Sequence, residues 1–109
     1  LPLSGYDAYV NIAGGVKLNE PAMDLGLVLA VISSYRDVPI PDKTLVFGEV
    51  GLSGEVRAVS MAAQRVQEAR RLGFDRIILP RACMEQIKQP EGVRLVGVST
   101  VRDAMEALG

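Results

Sequence analysis

The sequence predicts an α/β sandwich with a mixed sheet, and three observations carry that prediction. Short aliphatic runs without helical period alternate with segments whose apolar residues recur every three to four positions. A Gly-x-x-Gly hairpin signal sits near the middle of the chain and makes a purely parallel sheet unfavourable. Length completes the case, because 109 residues suffice for one core and are too few for two.

Taken in order, residues 6–13 hold Tyr9, Val10 and Ile12 and close on Gly14-Gly15, the pattern of a strand and its turn. Asn19-Glu20-Pro21 then supplies a capping side chain, an acid and a proline suited to a first helical turn. From 22 to 34 nearly every residue is apolar, which predicts a helix buried around most of its circumference. Gly26 inside it costs about 1 kcal/mol against alanine, a cost that close packing would offset. Val38-Pro39-Ile40-Pro41-Asp42 reads as a linker, residues 44–50 as a strand, and Gly51-Leu52-Ser53-Gly54 as the connection to a strand over 55–59. Ser60 is placed to cap the next helix, whose Ala62, Val66 and Ala69 share one face and whose stop is Gly73. A short strand over 76–79 ends at Pro80, a short helix spans 82–88, a strand 93–98 and a helix 100–108. The predicted order is β-α-β-β-α-β-α-β-α. The sequence shows neither an internal repeat nor a low-complexity stretch.

Composition narrows the function. Hydrophobic residues at 49% and charged residues at 23% describe a globular chain rather than a disordered one. Aromatics are only 5% and Trp is absent, so the core must be aliphatic. A net charge of −1 argues against a uniformly basic nucleic-acid binder and leaves local patches open. The single Cys83 precludes an internal disulfide, in keeping with a reducing, cytoplasmic setting. No apolar run reaches the roughly 18 residues of a membrane span, so no membrane partner is expected. The chain shows no signal-peptide pattern and starts at Leu1 rather than Met, the expectation being a piece of a longer cytoplasmic protein.

Histidine is absent, which removes Ser-His and Cys-His pairs and the commonest metal ligand. With one Cys and no His, neither a metal site nor a cofactor is expected in this domain. Gly14-Gly15-Val16-Lys17 is too short for a phosphate-cradling P-loop. The thirteen acids are scattered among basic residues as a solvated surface would have them. What survives is a Ser-Lys arrangement, in which a desolvated lysine activates a serine.

Three stretches carry a family resemblance: Asn19-Glu20-Pro21-Ala22-Met23-Asp24-Leu25, Phe47-Gly48-Glu49-Val50-Gly51-Leu52-Ser53-Gly54-Glu55-Val56-Arg57, and Arg71-Leu72-Gly73-Phe74-Asp75-Arg76-Ile77-Ile78-Leu79-Pro80. In this order they resemble the proteolytic domain of the Lon family, where a Gly-Glu-x-x-Leu-x-Gly hairpin follows the nucleophile helix. Val10-Asn11-Ile12-Ala13-Gly14-Gly15-Val16-Lys17 and the Glu20-Pro21-Ala22 start are similar to the Lon-like C-terminal domain of the RadA/Sms family of bacterial DNA repair proteins. The resemblance covers essentially the whole chain and implies a two-layer sandwich of the ribosomal protein S5 domain 2-like type.

Lon proteases place a nucleophilic serine after a proline at the mouth of the first long helix, and a general-base lysine on the second. Those positions hold Ala22 and Arg65 here. A methyl cannot attack, and a guanidinium does not give up its proton to become a base. The resemblance therefore implies a domain without catalytic residues. Ser33 and Ser34 lie about 17 Å along the first helix from that mouth. Ser53 falls at the hairpin tip, and Lys17, Lys43 and Lys88 fall beside turns or exposed segments that do not desolvate an ammonium.

The RadA/Sms resemblance further implies an upstream zinc-binding motif and RecA-like ATPase, with ATP, Mg and Zn belonging to the full-length protein. It implies a hexameric ring promoting branch migration, in which the Lon-like domain is a scaffold and contacts DNA, single-stranded or branched. Residues 57–81 give this a physical handle: six arginines (57, 65, 70, 71, 76 and 81) against Glu68 and Asp75 make a local charge of +4. Arginine forks suit phosphates, and such binding ignores sequence and weakens with salt. Arg70 and Arg71 equally suit a helix C-terminus, and Arg76 can pair locally or face water. Lys17, Arg57 and Arg65 are the DNA-contact candidates. Two other readings stand beside this one: a pure oligomerisation scaffold without DNA contact, and an active Lon-like peptidase.

Overall fold

The computed structural model describes residues 21–37 and 39–108. The expected strand over 6–13, the Gly14-Gly15 turn, the Asn19-Glu20 start and Lys17 lie outside them. Pro21–Met23 forms one 3-10 turn, where proline's missing N–H costs nothing, and leads into α1 (Asp24–Arg36). Asp37 ends α1 in the left-handed region (φ 58°), its N–H turned back to the carbonyls of Ser33 and Ser34. There follow β1 (Thr44–Val46), β2 (Glu49–Val50), β3 (Val56–Arg57), α2 (Ala62–Arg71) and β4 (Arg76–Pro80). A 3-10 segment (Arg81–Gln86), β5 (Arg94–Val98) and α3 (Val101–Leu108) complete the order.

Strands β1, β4 and β5 form a parallel sheet with β4 in the centre, pairing Thr44 with Arg76 and Arg76 with Arg94. Ile77, Ile78 and Leu79 of β4 are all fully buried. Because successive strand residues point to opposite faces, such a run needs cover on both sides. Ile78 packs with Leu25 and Leu29 of α1, Val46, Val98, and Ala104 and Leu108 of α3. Ile77 and Leu79 pack with Ala62, Val66 and Ala69 of α2, Phe47, Cys83 and Val93. The expected two-layer sandwich is thus corrected among the described residues: α1 and α3 cover one face of the sheet, and α2 with the 3-10 segment covers the other.

The strand expected over 44–50 is two strands. Phe47 still donates to the Ile78 carbonyl (3.0 Å), but Gly48 turns at φ 154° and sends the chain out of the parallel sheet. Strands β2 and β3 then form the predicted hairpin as a separate antiparallel ribbon, Glu49 opposite Arg57 and Val50 opposite Val56. Just before β3 and just after β5, an isolated antiparallel bridge joins Glu55 to Thr100.

Ser60 does not cap α2. Met61 holds the N-cap position in a left-handed conformation (φ 59°) without a side-chain cap, and Ser60 offers its carbonyl to Arg65 instead. Gly73 follows α2 at φ 99°, as its stop signal predicts. Helix α1 buries Leu25, Gly26, Leu29, Ala30 and Ser33; within the expected span 22–34 only Val31 is exposed, at 63%, and Tyr35 just beyond it is exposed at 89%. The short helix expected over 82–88 is the 3-10 segment. No helix among the described residues is long and apolar enough to cross a membrane.

Helix α3 starts on a reciprocal cap. Thr100 Oγ1 accepts from the Asp103 N–H (3.0 Å), while Asp103 Oδ2 accepts from the N–H groups of Ser99 (3.1 Å) and Thr100 (3.2 Å). The Ser99 N–H, and Thr100 after it, hold the Asp103 carboxyl below its ordinary value of 3.8. A depressed carboxylate stabilises the fold above its unfolded-state value and loses that effect as pH falls through the folded one. Thr100→Ala is therefore expected to cost about 1 kcal/mol at neutral pH. For Asp103→Asn, the stability gap to the unsubstituted chain should shrink in urea titrations as pH drops below about 4. A gap independent of pH would show that the carboxylate does not act as described.

Candidate functional site at the helix mouth and hairpin

The 3-10 turn before α1 presents Ala22 with 3% of its surface exposed. Its carbonyl accepts from the Gly48 N–H (2.7 Å), and the Gly48 carbonyl accepts from the Leu25 N–H (2.9 Å). Asp24 Oδ2 adds an acceptor for the Val50 N–H at 3.4 Å. The mouth of α1 is thus held against the start of the hairpin by backbone groups, with a methyl at position 22. Arg65 lies on α2, the helix on the opposite face of the sheet, and its Nε donates to the Ser60 carbonyl (3.0 Å).

The serines and lysines of the described chain are dispersed. Ser33 is buried within α1 and Ser60 is exposed. Ser53 lies at the hairpin tip, its N–H donating to Glu55 Oε1 (3.0 Å), while Lys43 and Lys88 are exposed.

Arg57 stands on β3 with 54% of its side chain exposed, bracketed by two carboxylates. Its NH2 donates to Glu55 Oε2 (3.0 Å), and its NH1 lies 3.8 Å from Glu49 Oε1 across the ribbon. The Glu55 N–H first, then the Arg57 guanidinium and the Ser53 N–H, hold the Glu55 carboxyl below its usual range. Arg65 follows two turns of sequence later, and its guanidinium folds back to the connector that Arg57 enters. Lys17, the third candidate, lies outside the described residues.

The remaining arginines have local employment. Arg71 makes a two-pronged pair with Glu68 (3.0 and 2.5 Å), which keeps the Glu68 carboxyl low. Arg76 is half-buried: its NH2 donates to the Ala107 carbonyl at the end of α3, a C-terminal cap, and its Nε is buried without a partner. Arg70 and Arg81 are exposed, and Arg81 contributes to lowering Asp103. The +4 of residues 57–81, which already counts Glu68, is therefore softened further by Glu49, Glu55 and Asp103. The carboxylate partners of Arg57 were missed in the sequence: a connection over 51–54 sets Glu49 opposite Val56, and the observed register, one residue further, sets it opposite Arg57.

Comparison with known families places this geometry. The family model described as subunit ChlI of Mg-chelatase matches residues 6–83, well over half of the chain. The chain belongs to the ChlI family. The ChlI match takes in the helix mouth, the whole hairpin, Arg57 and Arg65. The chain is also 49% identical over 105 residues to the DNA repair protein RadA of Bacillus subtilis, covering 96% of this chain and 23% of that protein. Identity to RadA of Escherichia coli is 46% over 105 residues, again 96% and 23%. Identity to RadA of Streptococcus pyogenes serotype M6 is 43% over 108 residues, 99% and 24%. The resemblance to RadA read from the motifs thus runs along almost the entire chain, which spans about a quarter of the length of these relatives. Chelatase is the word for that family's named member; among the described residues no three Cys, Asp or Glu side chains converge to hold a metal ion.

Proposed function

We propose that this chain is a non-proteolytic, Lon-like scaffold and DNA-contacting domain of a RadA/Sms-type recombination and DNA repair ATPase that drives branch migration. The observation that carries this is the buried methyl of Ala22 at the mouth of α1, in a chain 43–49% identical to proteins named DNA repair protein RadA. Where the Lon mechanism needs an attacking oxygen this chain has a methyl, and Arg65, which the resemblance matches to the general base, is a guanidinium on the helix at the other face of the sheet.

DNA contact is assigned to Lys17, Arg57 and Arg65. Exposed ion pairs such as those of Arg57 contribute at most about 1 kcal/mol, so a phosphate can take the place of a carboxylate there. ATP, Mg and Zn belong in this proposal to the longer protein; for zinc, a chain without histidine, whose one thiol is buried at Cys83, does not offer the preferred ligands. The ring is taken as hexameric and its setting as cytoplasmic.

The test is binding of fluorescent single-stranded and branched DNA between about 50 and about 200 mM salt, where each phosphate contact contributes a slope of about 0.7–0.9. Changing Lys17, Arg57 and Arg65 together to Ala should make the log–log salt dependence shallower by about 2. An unchanged slope rejects the DNA contact. Unfolded casein should survive incubation with the chain, and fragments absent from a mock preparation would reject the non-proteolytic half. The exposed Val31 and Tyr35, one turn apart on α1, favour a second reading as an oligomerisation scaffold alone. A hexamer that forms without DNA and does not bind it would select that reading.

A further inference from the structure

The tip of the hairpin combines a rigid backbone with an unusually naked apolar side chain. Leu52 is 107% exposed, more open than in an extended peptide, although the turn that carries it is tightly organised. The Gly54 N–H donates to Gly51 (3.0 Å) and the Gly51 N–H to the Glu55 carbonyl (2.9 Å). Glu55 Oε1 accepts from the Ser53 N–H, and its carboxylate occupies the space where a Cβ on Gly51 would stand, within 2.2–2.4 Å. Gly54, at φ 80°, completes the turn. Both flanks are anchored as well. On one side Gly48 grips the mouth of α1. On the other, the Val56 N–H donates to Ser99 (2.8 Å) and the Val101 N–H to Gly54 (2.9 Å).

An exposed leucine on a flexible loop would be ordinary surface. Held on a braced finger it is a pre-organised wedge, because little ordering entropy is left to lose on insertion. Apolar side chains of this kind enter DNA between base steps and unstack them. The finger carries one cation, Arg57, against Glu49 and Glu55, so a phosphate held by Arg57 takes the place of a carboxylate there. Arg57 is three residues past Gly54, about 10 Å at the rise of a strand, or about three base steps of duplex. Glu49 and Glu55 both face the Arg57 guanidinium, so they do not stand as bare charges at the tip.

We propose that Leu52 is a DNA wedge: it inserts at a base step of a branched DNA and unstacks it while Arg57 holds the adjoining backbone. This rests on the DNA-contacting reading above and adds a mechanical role to it. The test uses the chain with forked DNA carrying 2-aminopurine beside the junction, whose fluorescence rises when the base leaves the stack. Binding is followed separately by anisotropy of a distal dye. The unsubstituted chain should raise 2-aminopurine emission on binding, and Leu52→Ser should bind yet lose that rise. Leu52→Phe, which restores an apolar wedge, should recover it. A side chain this exposed can be changed without disturbing the fold. Binding without any rise, or an equal rise with Leu52→Ser, overturns the wedge and leaves DNA contact standing. Absence of binding by the unsubstituted chain fails the DNA reading itself, and the wedge with it. A change of sedimentation size on Leu52→Ser assigns the tip to a second copy of the chain and also overturns the wedge.

Discussion

Gly48→Ala is expected to lower stability by about 2–5 kcal/mol, from left-side backbone strain and from overpacking together. A Cβ at this position would meet Val56 Cγ1 at 3.0 Å, Leu25 Cδ2 at 3.3 Å and Pro80 Cγ at 3.3 Å. Its φ of 154° is one that side-chain-bearing residues rarely adopt. Both backbone groups of Gly48 are also committed, to Ala22 and Leu25, so relief by rotation would break the α1–hairpin contact. For a domain of this size about 3 kcal/mol corresponds to a melting point lower by about 12–24 °C. Thermal and urea denaturation would measure it. A loss under about 0.5 kcal/mol, the ordinary surface value, would mean that this crossing is not packed as described.

The second large effect tests the layering. Ile77 and Ile78 are adjacent in β4, both fully buried, and belong to opposite faces of the sheet. Ile77→Ala and Ile78→Ala, made separately, should each cost about 2–5 kcal/mol, because each opens a cavity in a different core. In a sandwich of only two layers one of the pair would face water and its replacement would cost about 0.5 kcal/mol or less. Urea midpoints of the two variants decide between these outcomes. One cheap substitution and one costly substitution would return the molecule to two layers.

Much of this architecture was legible in the residues. The β4 run Arg76–Pro80, the stop at Gly73 and the Gly51–Gly54 hairpin all rest on local chemistry that no tertiary contact overrides. The break at Gly48 had a local signal, a glycine followed by an acid inside residues 44–50, but the strand is expected to run through it; the approach of Ala22 and Leu25 is what turns the chain there. Ser60 is a good capping residue that lost its place to a left-handed Met61, a conformation with no sequence signal. The run Ile77-Ile78-Leu79 carries the mark of a strand covered on both sides, but it is read only as a short strand and the resemblance sets the expectation at two layers.

The candidate site was legible as residue types rather than as contacts. Ala22 and Arg65 are read as replacements of a nucleophile and a base from the family resemblance alone, and the fold sets the mouth of α1 and helix α2 on opposite faces of the sheet. The partners of Arg57 and Arg76 could not, since a cluster of arginines looks alike whether its members meet phosphate, carboxylate or a helix end. Only the fold shows that Arg76 spends its guanidinium on Ala107 and that Arg57 is shared by Glu49 and Glu55.

Parallel pairing also sets the tempo at which this chain acquires its shape. Thr44 meets Arg76, 32 positions later (76 − 44), and Arg76 meets Arg94, 18 positions later (94 − 76). Neither seam can begin from a tight turn, so each must close a long loop before any ladder forms. Folding should accordingly be slower than in a helical bundle of equal length. The rate-limiting collapse should carry β4 already flanked by its neighbours, whereas the small ribbon closes through a short turn and needs no such search.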